Sequence, residues 1–171
     1  MSGVLWELWE GIEGMAVVDL TSNPRYLANS PTRSSLLLPN TEQSLLEVPE
    51  QDVNDNLGNR LTTWFLAPQT GDYTFVIASD DQGELWFGED EAAATPIASV
   101  PGWTSPREWD KFTEQTSATQ SLVAGDYYFL QALAKEGSGG DNLAVGARLP
   151  DGTDLSPIPV EGYLYQGDGG R

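Results

Sequence analysis

Asp80 and Asp81 are adjacent within residues 79–83 (Ser-Asp-Asp-Gln-Gly), between two stretches with the residue pattern of β-strands. Two carboxylates confined to so small a volume repel each other unless a cation lies between them. Calcium suits such a pair, because it takes about six to eight oxygen ligands, carboxylates among them. The alternative is a polar turn in which both carboxylates are solvated. The doublet on its own leaves both interpretations open.

A second loop with possible ligands covers residues 137–142, Gly-Ser-Gly-Gly-Asp-Asn, between two apolar stretches. Glycines let backbone carbonyls turn toward a common centre, which is how calcium loops recruit main-chain oxygens. A flexible hairpin is the alternative, although three glycines exceed what a tight turn needs. If both loops share one end of the fold, Asp80, Asp81 and Asp141 could surround one calcium ion together with loop carbonyls. A site at such a rim would leave coordination positions open to water or to sugar hydroxyls.

Two segments resemble calcium loops of other kinds and are rejected. Residues 52–58 suggest an EF-hand, but Leu57 stands at the sixth position, where glycine is needed, and Thr63 at the twelfth, where glutamate is needed. We interpret this segment as a polar loop. Residues 137–141 partly match a glycine–aspartate nonapeptide, but the pattern does not repeat and so predicts no β-helix.

Composition excludes several classes of function. The 171 residues include 26 acidic and 8 basic ones, and the net charge of −18 disfavours nucleic acid and anionic membranes as partners. The chain has no cysteine and no histidine, which excludes disulfides, thiol nucleophiles, Ser-His-Asp triads and ordinary zinc sites. No apolar run approaches the roughly 18 residues of a membrane span. A glycosidase pair could be drawn from many of these carboxylates, so we assign no catalytic residue.

Strand patterns separated by Gly and Pro turns predict an all-β fold, an antiparallel β-sandwich or barrel. We expect long loops over residues 23–56 and a possible short helix around residues 107–112. Residues 1–165 are predicted to form a single domain, followed by a Gly-rich tail or linker at 166–171. The N-terminal residues lack the pattern of a signal peptide. The predicted strands are residues 4–12, 72–78, 84–87, 97–100, 121–123, 127–135 and 143–149.

Three motifs in order resemble the PA-fourteen domain family, which is named for a module of anthrax protective antigen and occurs in yeast flocculins and bacterial adhesins. They lie at residues 79–86, 102–111 and 135–145, and residues 9–12 (Trp-Glu-Gly-Ile) look like the N-terminal pattern of the family. The match spans roughly residues 3–165. It implies an antiparallel β-sandwich of the PA-fourteen type, often described as a twisted barrel.

The resemblance also implies a site. In the lectin members two adjacent aspartates, joined by a cis peptide bond, hold a calcium ion whose remaining positions take sugar hydroxyls. The second calcium loop corresponds to residues 138–142. The implied metal ligands are Asp80, Asp81, Ser138, Gly139 and Asp141. The implied sugar contacts are Asp80, Asp81, Gln82, Gly140 and Asn142.

The function implied by the resemblance is that of a calcium-dependent carbohydrate-binding module, non-catalytic and monomeric within a larger secreted bacterial adhesin. Two alternatives remain: an accessory domain of a glycoside hydrolase, and a structural or protein-interaction module that calcium only stiffens. Fold alone does not decide among them. Three tryptophans could stack on sugar rings, or could simply be packed in the core or rim: Trp86, Trp103 and Trp109.

Overall fold

A computed structural model describes residues 1–39, 44–50 and 54–167. Within them the chain forms eleven strands, and the predicted all-β class is confirmed. The helical parts are short: α1 (Val17–Thr21), α2 (Pro24–Leu27) and a 3-10 helix at Thr113–Gln115. The strands are β1 (Val4–Glu10), β2 (Arg33–Leu37), β3 (Leu57–Leu66), β4 (Gly71–Asp80), β5 (Gly83–Gly88), β6 (Thr95–Val100), β7 (Gln120–Leu122), β8 (Tyr127–Glu136), β9 (Asn142–Arg148), β10 (Asp154–Leu155) and β11 (Leu164–Tyr165).

The strands pair into two antiparallel sheets that enclose the core. One sheet has the order β2-β1-β3-β8-β5-β6, with β11 also pairing with β3, and the other has the order β10-β9-β4-β7. Strand β4 shows why the sheets pack face to face, because its alternating pattern buries Tyr73, Phe75 and Ile77 and turns the residues between them outward. Some aromatic rings of the core meet edge to face, as Phe65 and Phe75 do at 5.5 Å between centroids, and others stack, as Phe87 and Tyr128 do at 5.7 Å.

A small second cluster anchors the segment after β1. It consists of Trp9, Ile12 and Leu20, all buried, with Tyr26 packed against them. Leu20 of α1 lies directly over Gly58 of β3, where a side chain would meet it at 2.4 Å. The close contact holds α1 and the residues before it against the large sheet, next to the end of β8.

The predicted helix at residues 107–112 is wrong. Residues 101–112 form turns and bends without a helix, and Arg107 has φ +56°. The guanidinium of Arg107 forms two hydrogen bonds of 2.8 Å with the carboxylate of Glu47, which favours this turn over a helix. A single 3-10 turn follows at Thr113–Gln115 instead.

The expected long loops over residues 23–56 contain α2 and β2. The central strand β3 was not predicted, because Gly58, Asn59 and Arg60 interrupt the apolar alternation at its start. Pairing with β1 on one side and β8 on the other makes it a strand.

Two of the predictions fall partly outside the described residues. These are residues 52–53 of the segment resembling an EF-hand and residues 168–171 of the predicted tail.

The division into a domain at 1–165 and a tail at 166–171 stays a prediction. In the part of the chain that the structure describes, none of the helices has the length and apolar character needed to cross a membrane.

Candidate functional site

The aspartate pair lies at the end of β4, as Asp80 is the last residue of that strand and Asp81 follows it. The peptide bond between them is cis, as the family resemblance implies. Asp80 pairs with Asn142, the first residue of β9. The pair and the loop at residues 137–142 therefore share one end of the sandwich, which was the condition for a joint site.

Hydrogen bonds fix Asp81 between two strands of the large sheet. The amide of Gly137 donates to Asp81 Oδ2 at 3.0 Å, and the amide of Asp81 donates to the carbonyl of Lys135 at 3.0 Å. The amide of Lys135 in turn donates to the carbonyl of Gln82 at 2.9 Å. The hydroxyl of Ser79 donates to the carbonyl of Asp81 at 2.8 Å. One carboxylate oxygen of Asp81 thus already faces the second loop.

Glu136, the last residue of β8, is the least expected part of the site. Its side chain is 1% exposed, and among the described residues neither carboxylate oxygen has a hydrogen-bond partner. Burial raises the pKa of Glu136 to about 7, with further contributions from the negative charges of Asp141, Asp55 and Asp81. A buried carboxylate in this setting requires either a proton or a cation.

Asn142 also carries an unsatisfied oxygen. It is 4% exposed, and its Nδ2 donates to the carbonyl of Thr104 at 3.0 Å, while among the described residues Oδ1 has no partner. The amide of Thr104 donates to the carbonyl of Ser79 at 2.7 Å. The loop after β6 is thereby attached to both β4 and β9, and the orientation of the Asn142 amide is fixed.

Lys135 attaches a third segment to the site. Its side chain is fully buried, and Nζ donates to the carbonyls of Gly14 and Glu136, each at 2.7 Å. Burial lowers the pKa of Lys135, and the negative charges of Glu136, Asp19 and Asp81 oppose this shift. The amide of Gln82 donates to the carbonyl of Met15 at 3.4 Å. The segment before α1 therefore forms one wall beside the aspartate pair.

The remaining predicted residues lie at the surface of this end. Ser138, Gly139 and Gly140 are exposed, and the amide of Gly139 donates to Asp55 Oδ1 at 3.2 Å. Gln82 is half-buried, with its Nε2 donating to the carbonyl of Pro101 at 3.3 Å. Their assigned roles as metal ligands or sugar contacts stay predictions.

The oxygen atoms gathered here fit a hard cation. Across residues 1–39, 44–50 and 54–167, no three His, Cys, Asp or Glu side chains form a ready-made metal-binding group. The fit rests instead on a mixed set of oxygen atoms that could ligate a metal. These are the unpartnered carboxylate oxygens of Glu136, the Oδ1 of Asn142 and the carboxylate of Asp81. Calcium accepts such sets of carboxylate and amide oxygens.

An exposed aromatic ring stands beside the site in the loop at residues 101–112. Trp103 is 50% exposed. Lys111 Nζ lies 3.4 Å from the ring centroid and donates to the carbonyl of Trp103 at 2.8 Å. The loop carrying this ring is tied to Gln82 through Pro101 and to Asn142 through Thr104.

Sequence reasoning missed Glu136, Lys135, Asp55 and Thr104. Glu136 lies inside the third motif, yet the prediction ended the strand before it and gave it no role. The available signal was two consecutive charged residues at the end of an otherwise apolar strand, since charged side chains are rarely buried without a partner. Asp55 and Thr104 offered no comparable signal, because only the fold brings them near the site.

The chain is similar in sequence to a known domain family and to parts of several known proteins. The family profile of the GLEYA domain matches residues 58–147, more than half of the chain. The chain is 32% identical over 119 residues to the Mus musculus N-acetyl-beta-glucosaminyl-glycoprotein 4-beta-N-acetylgalactosaminyltransferase 1, over 66% of this chain and 12% of that protein. It is 31% identical over 122 residues to flocculation protein FLO9 of Saccharomyces cerevisiae, over 66% of this chain and 9% of that protein. The chain thus spans only a small part of the curated relatives that it matches.

Among solved structures, a PA14 sugar-binding domain from an RTX adhesin is similar, with a TM-score of 0.69 and 12% identity. The alignment covers 98% of this chain and 99% of that one. At this identity the likeness concerns the fold, and it confirms the predicted β-sandwich of the PA-fourteen type.

Proposed function

The chain belongs to the GLEYA domain family, and from that premise we propose that it is a carbohydrate-binding module that holds its sugar ligand through a calcium ion. The domain is non-catalytic in this proposal. The family match and the relatives support carbohydrate binding in an adhesin or flocculin, and the donor set at the end of β4 supports the calcium ion.

One observation carries the proposal: the aspartate pair and the β8–β9 loop converge on buried oxygen atoms that have no donor. Both carboxylate oxygens of Glu136 and Oδ1 of Asn142 are in this position among the described residues. Leaving a buried acceptor unsatisfied costs about 1–3 kcal/mol, and more for a charged group. Protonation of Glu136 removes part of that cost, whereas a bound cation would satisfy the oxygens of both side chains at once.

The metal shell in this proposal combines side chains and backbone. Asp80, Asp81 and Asp141 supply carboxylates, as predicted, and Ser138 and Gly139 supply loop carbonyls. Glu136 joins them because it is buried and without a donor. Asn142 moves from the sugar-contacting set to the metal shell, because its side chain is buried and its Oδ1 unsatisfied. When bound, calcium would offer its remaining coordination positions to a pair of vicinal sugar hydroxyls.

The surrounding residues would orient the sugar. Gln82 and Gly140, which lie at the surface of this end, would contact the sugar, and Gln82 is held from both directions through Met15 and Pro101. Trp103 offers one ring face, with the ammonium of Lys111 against the ring. Aromatic faces of this kind can bind the C–H side of a sugar ring, and Trp103 would play that part here.

The test is calorimetric titration of calcium and then of sugar. Asp80→Ala is expected to abolish calcium binding and, with it, the binding of every glycan whose signal on a glycan array is lost in chelator. The matched control is Asp72→Ala, which removes an exposed carboxylate from the opposite end of the same strand. Unchanged sugar affinity in Asp80→Ala, with the fold intact by circular dichroism, would show the mechanism to be wrong.

The parent protein in this proposal is a secreted bacterial adhesin that presents the module at the cell surface. The fold of the RTX adhesin domain, the net charge of −18 and the lack of cysteine support this assignment. A shallow rim site buries little of a sugar, so the affinity of one module is expected to be weak and adhesion to depend on many copies.

A second candidate is an accessory domain of a carbohydrate-active enzyme, and the similarity to a short stretch of the mouse glycosyltransferase favours it. In that role the domain would shape a neighbouring active site and need not bind sugar alone. A glycan array with the isolated domain, in calcium and in chelator, separates the two. Calcium-dependent signals support the lectin, and their absence supports the accessory domain.

A further inference from the structure

A second groove lies on the outer face of the four-stranded sheet, with a volume of about 260 Å³. Its floor includes Thr74 and Val76, which point outward because their neighbours Tyr73, Phe75 and Ile77 point into the core. Thr116 forms a bridge with Val76 on one side of β4, and Arg148 pairs with Thr74 on the other. The remaining side chains lining the groove are Trp109, Asp110, Ala147, Asp154 and Ser156.

This groove is separate from the metal site. Thr74 and Val76 precede Asp80 by six and four residues on the same strand, which corresponds to about 13–20 Å at roughly 3.3 Å per residue. A single sugar ring cannot span that distance. None of the residues proposed to bind calcium lines the groove. Both sites use strands β4 and β9, at different positions along each strand, and both are reached by the loop at residues 101–112, through Thr104 at one and Trp109 at the other.

The groove combines an aromatic wall with hydrogen-bonding groups on several sides. Trp109 lines the groove and is half-buried, so packing restricts its indole while leaving part of the residue accessible. Hydroxyl groups come from Thr74, Thr116 and Ser156. An apolar ring face surrounded by groups that both donate and accept hydrogen bonds complements a pyranose, which has an apolar C–H face and a rim of hydroxyls.

The charged groups of the groove are available to a ligand. Arg148 Nη2 and Asp154 Oδ2 are 3.8 Å apart, and their side chains are 66% and 57% exposed. Because this ion pair is long and solvent-exposed, it contributes little to stability. Either side chain can therefore leave its partner and bind a ligand at a small cost in free energy. Asp110 is exposed on the opposite wall. Both carboxylates can accept hydrogen bonds from neighbouring hydroxyls, and the guanidinium can donate to them.

Size and charge restrict the ligand further. A volume of about 260 Å³ is slightly below the roughly 300–1,000 Å³ of pockets for larger ligands, which favours one ring over an extended chain. Asp110 and Asp154 outnumber the single cation Arg148, and the whole chain carries −18. This balance disfavours carboxylated or sulfated sugars.

We propose that this groove is a second carbohydrate-binding site, which takes one neutral pyranose ring against Trp109 without a metal ion. Arg148 and the two aspartates bind the ring hydroxyls, and the three hydroxyl side chains complete the contacts. The module then presents two sugar sites of different chemistry, one calcium-dependent at the end of β4 and one calcium-independent on the face of the sheet.

The test is a titration followed by amide NMR in the presence of EDTA, with the methyl glycosides of mannose, galactose, glucose and N-acetylglucosamine as probes. At least one is expected to give saturable shifts at the Trp109 indole and at the amides of Thr74 and Thr116. Trp109→Ala and Arg148→Gln are each expected to weaken that binding by about tenfold or more. Arg148 is exposed, so its substitution does not threaten the fold.

The matched control is Arg33→Gln, an exposed arginine paired with Glu50 on the edge strand of the other sheet, which should leave the affinity unchanged. The proposal is overturned if no glycoside shifts these signals, if binding survives both groove variants, or if glucuronic acid binds more tightly than its neutral counterparts. Asp80→Ala separates this site from the calcium site, since it should leave binding in EDTA intact. The two proposals are therefore tested independently: a negative result at the calcium site does not contradict the groove, and a negative result at the groove does not contradict the calcium site.

Discussion

At the scale of the single residue, Glu136 is the buried carboxyl group beside the aspartate pair, where we propose that calcium binds. A carboxylate that is 1% exposed, without a hydrogen-bond partner in the described part of the chain, is held in the fold by the strand that carries it rather than by contacts of its own. It lies next to Lys135, yet the ammonium of Lys135 donates to backbone carbonyls and not to this carboxylate. The folded chain thus keeps a buried carboxyl group at which a cation could replace the proton.

This arrangement predicts a pH dependence of the calcium-free protein. The folded state holds the proton of Glu136 more tightly than the unfolded state, because its pKa is raised from 4.5 to about 7. The free energy of unfolding should therefore fall as the pH rises from about 4.5 to about 7, and the part due to Glu136 should reach at most about 3 kcal/mol. Urea unfolding in EDTA across this pH range measures the effect.

Glu136→Gln is the control for that prediction, because the amide has the same shape and does not titrate. Other acidic groups contribute to the pH dependence of both proteins, so the quantity of interest is the difference between the two curves. That difference should grow with pH in favour of the variant and level off above about pH 7. Parallel curves would contradict the raised pKa of Glu136.

At the scale of the element, the close approach of β4 and β5 positions the aspartate pair. Gly83 begins β5, and a Cβ at this position would lie 2.4 Å from Ser79 Oγ and 2.9 Å from Ser79 Cβ. The same hydroxyl donates to the carbonyl of Asp81. The turn between the two strands therefore depends on the absence of a side chain at residue 83.

Gly83→Ala is expected to lower the free energy of unfolding by about 1–3 kcal/mol, because the methyl group must displace the buried Ser79 or the backbone beside it. Since Ser79 holds Asp81, calcium affinity should fall as well. Chemical denaturation and calcium titration measure the two effects.

Gly102→Ala provides the comparison, since a Cβ there meets only the ring of Phe112, at an ordinary 3.4 Å. Equal effects of the two substitutions on calcium affinity would argue against the role of Gly83.

At the scale of the whole molecule, a net charge of −18 makes cations part of the stability of the fold. Calcium should raise the melting temperature. At a free calcium concentration about 100-fold above the Kd, binding should increase the free energy of unfolding by about 2.7 kcal/mol. Sodium chloride should add a smaller, non-saturating increase through screening. In Asp80→Ala the calcium effect should be reduced to that of general screening, while the sodium effect remains. A saturable calcium effect of full size in that variant would place the ion elsewhere.

Much of the strand architecture could be predicted from the sequence. The residues of β4 alternate between buried and partly exposed, those of β9 are almost all buried, and turn residues bound both strands. The predicted bounds of both strands agree with the observed ones to within two residues. Strand β3 was missed because its start carries Gly58, Asn59 and Arg60, although residues 61–66 are rich in β-branched and aromatic residues. Pairing with β1 and β8 keeps the whole segment extended. At residues 107–112 the structure also departs from the local expectation of a helix, since Arg107 has φ +56° and its guanidinium binds Glu47, 60 residues earlier in the chain.

The sequence by itself determined the composition that excludes thiol and histidine chemistry, the aspartate pair, the glycine loop and the family to which they belong. Only the tertiary structure decided that, among the described residues, the carboxylate of Glu136 and Oδ1 of Asn142 are buried without hydrogen-bond partners. It also decided that Trp109, Arg148 and Asp154 line a second groove. The physical reason is that residue type fixes which groups can bind a cation or a sugar, whereas burial and convergence depend on strand pairing between distant segments. The register that places Asn142 opposite Asp80 is one such pairing, and no local pattern specifies it.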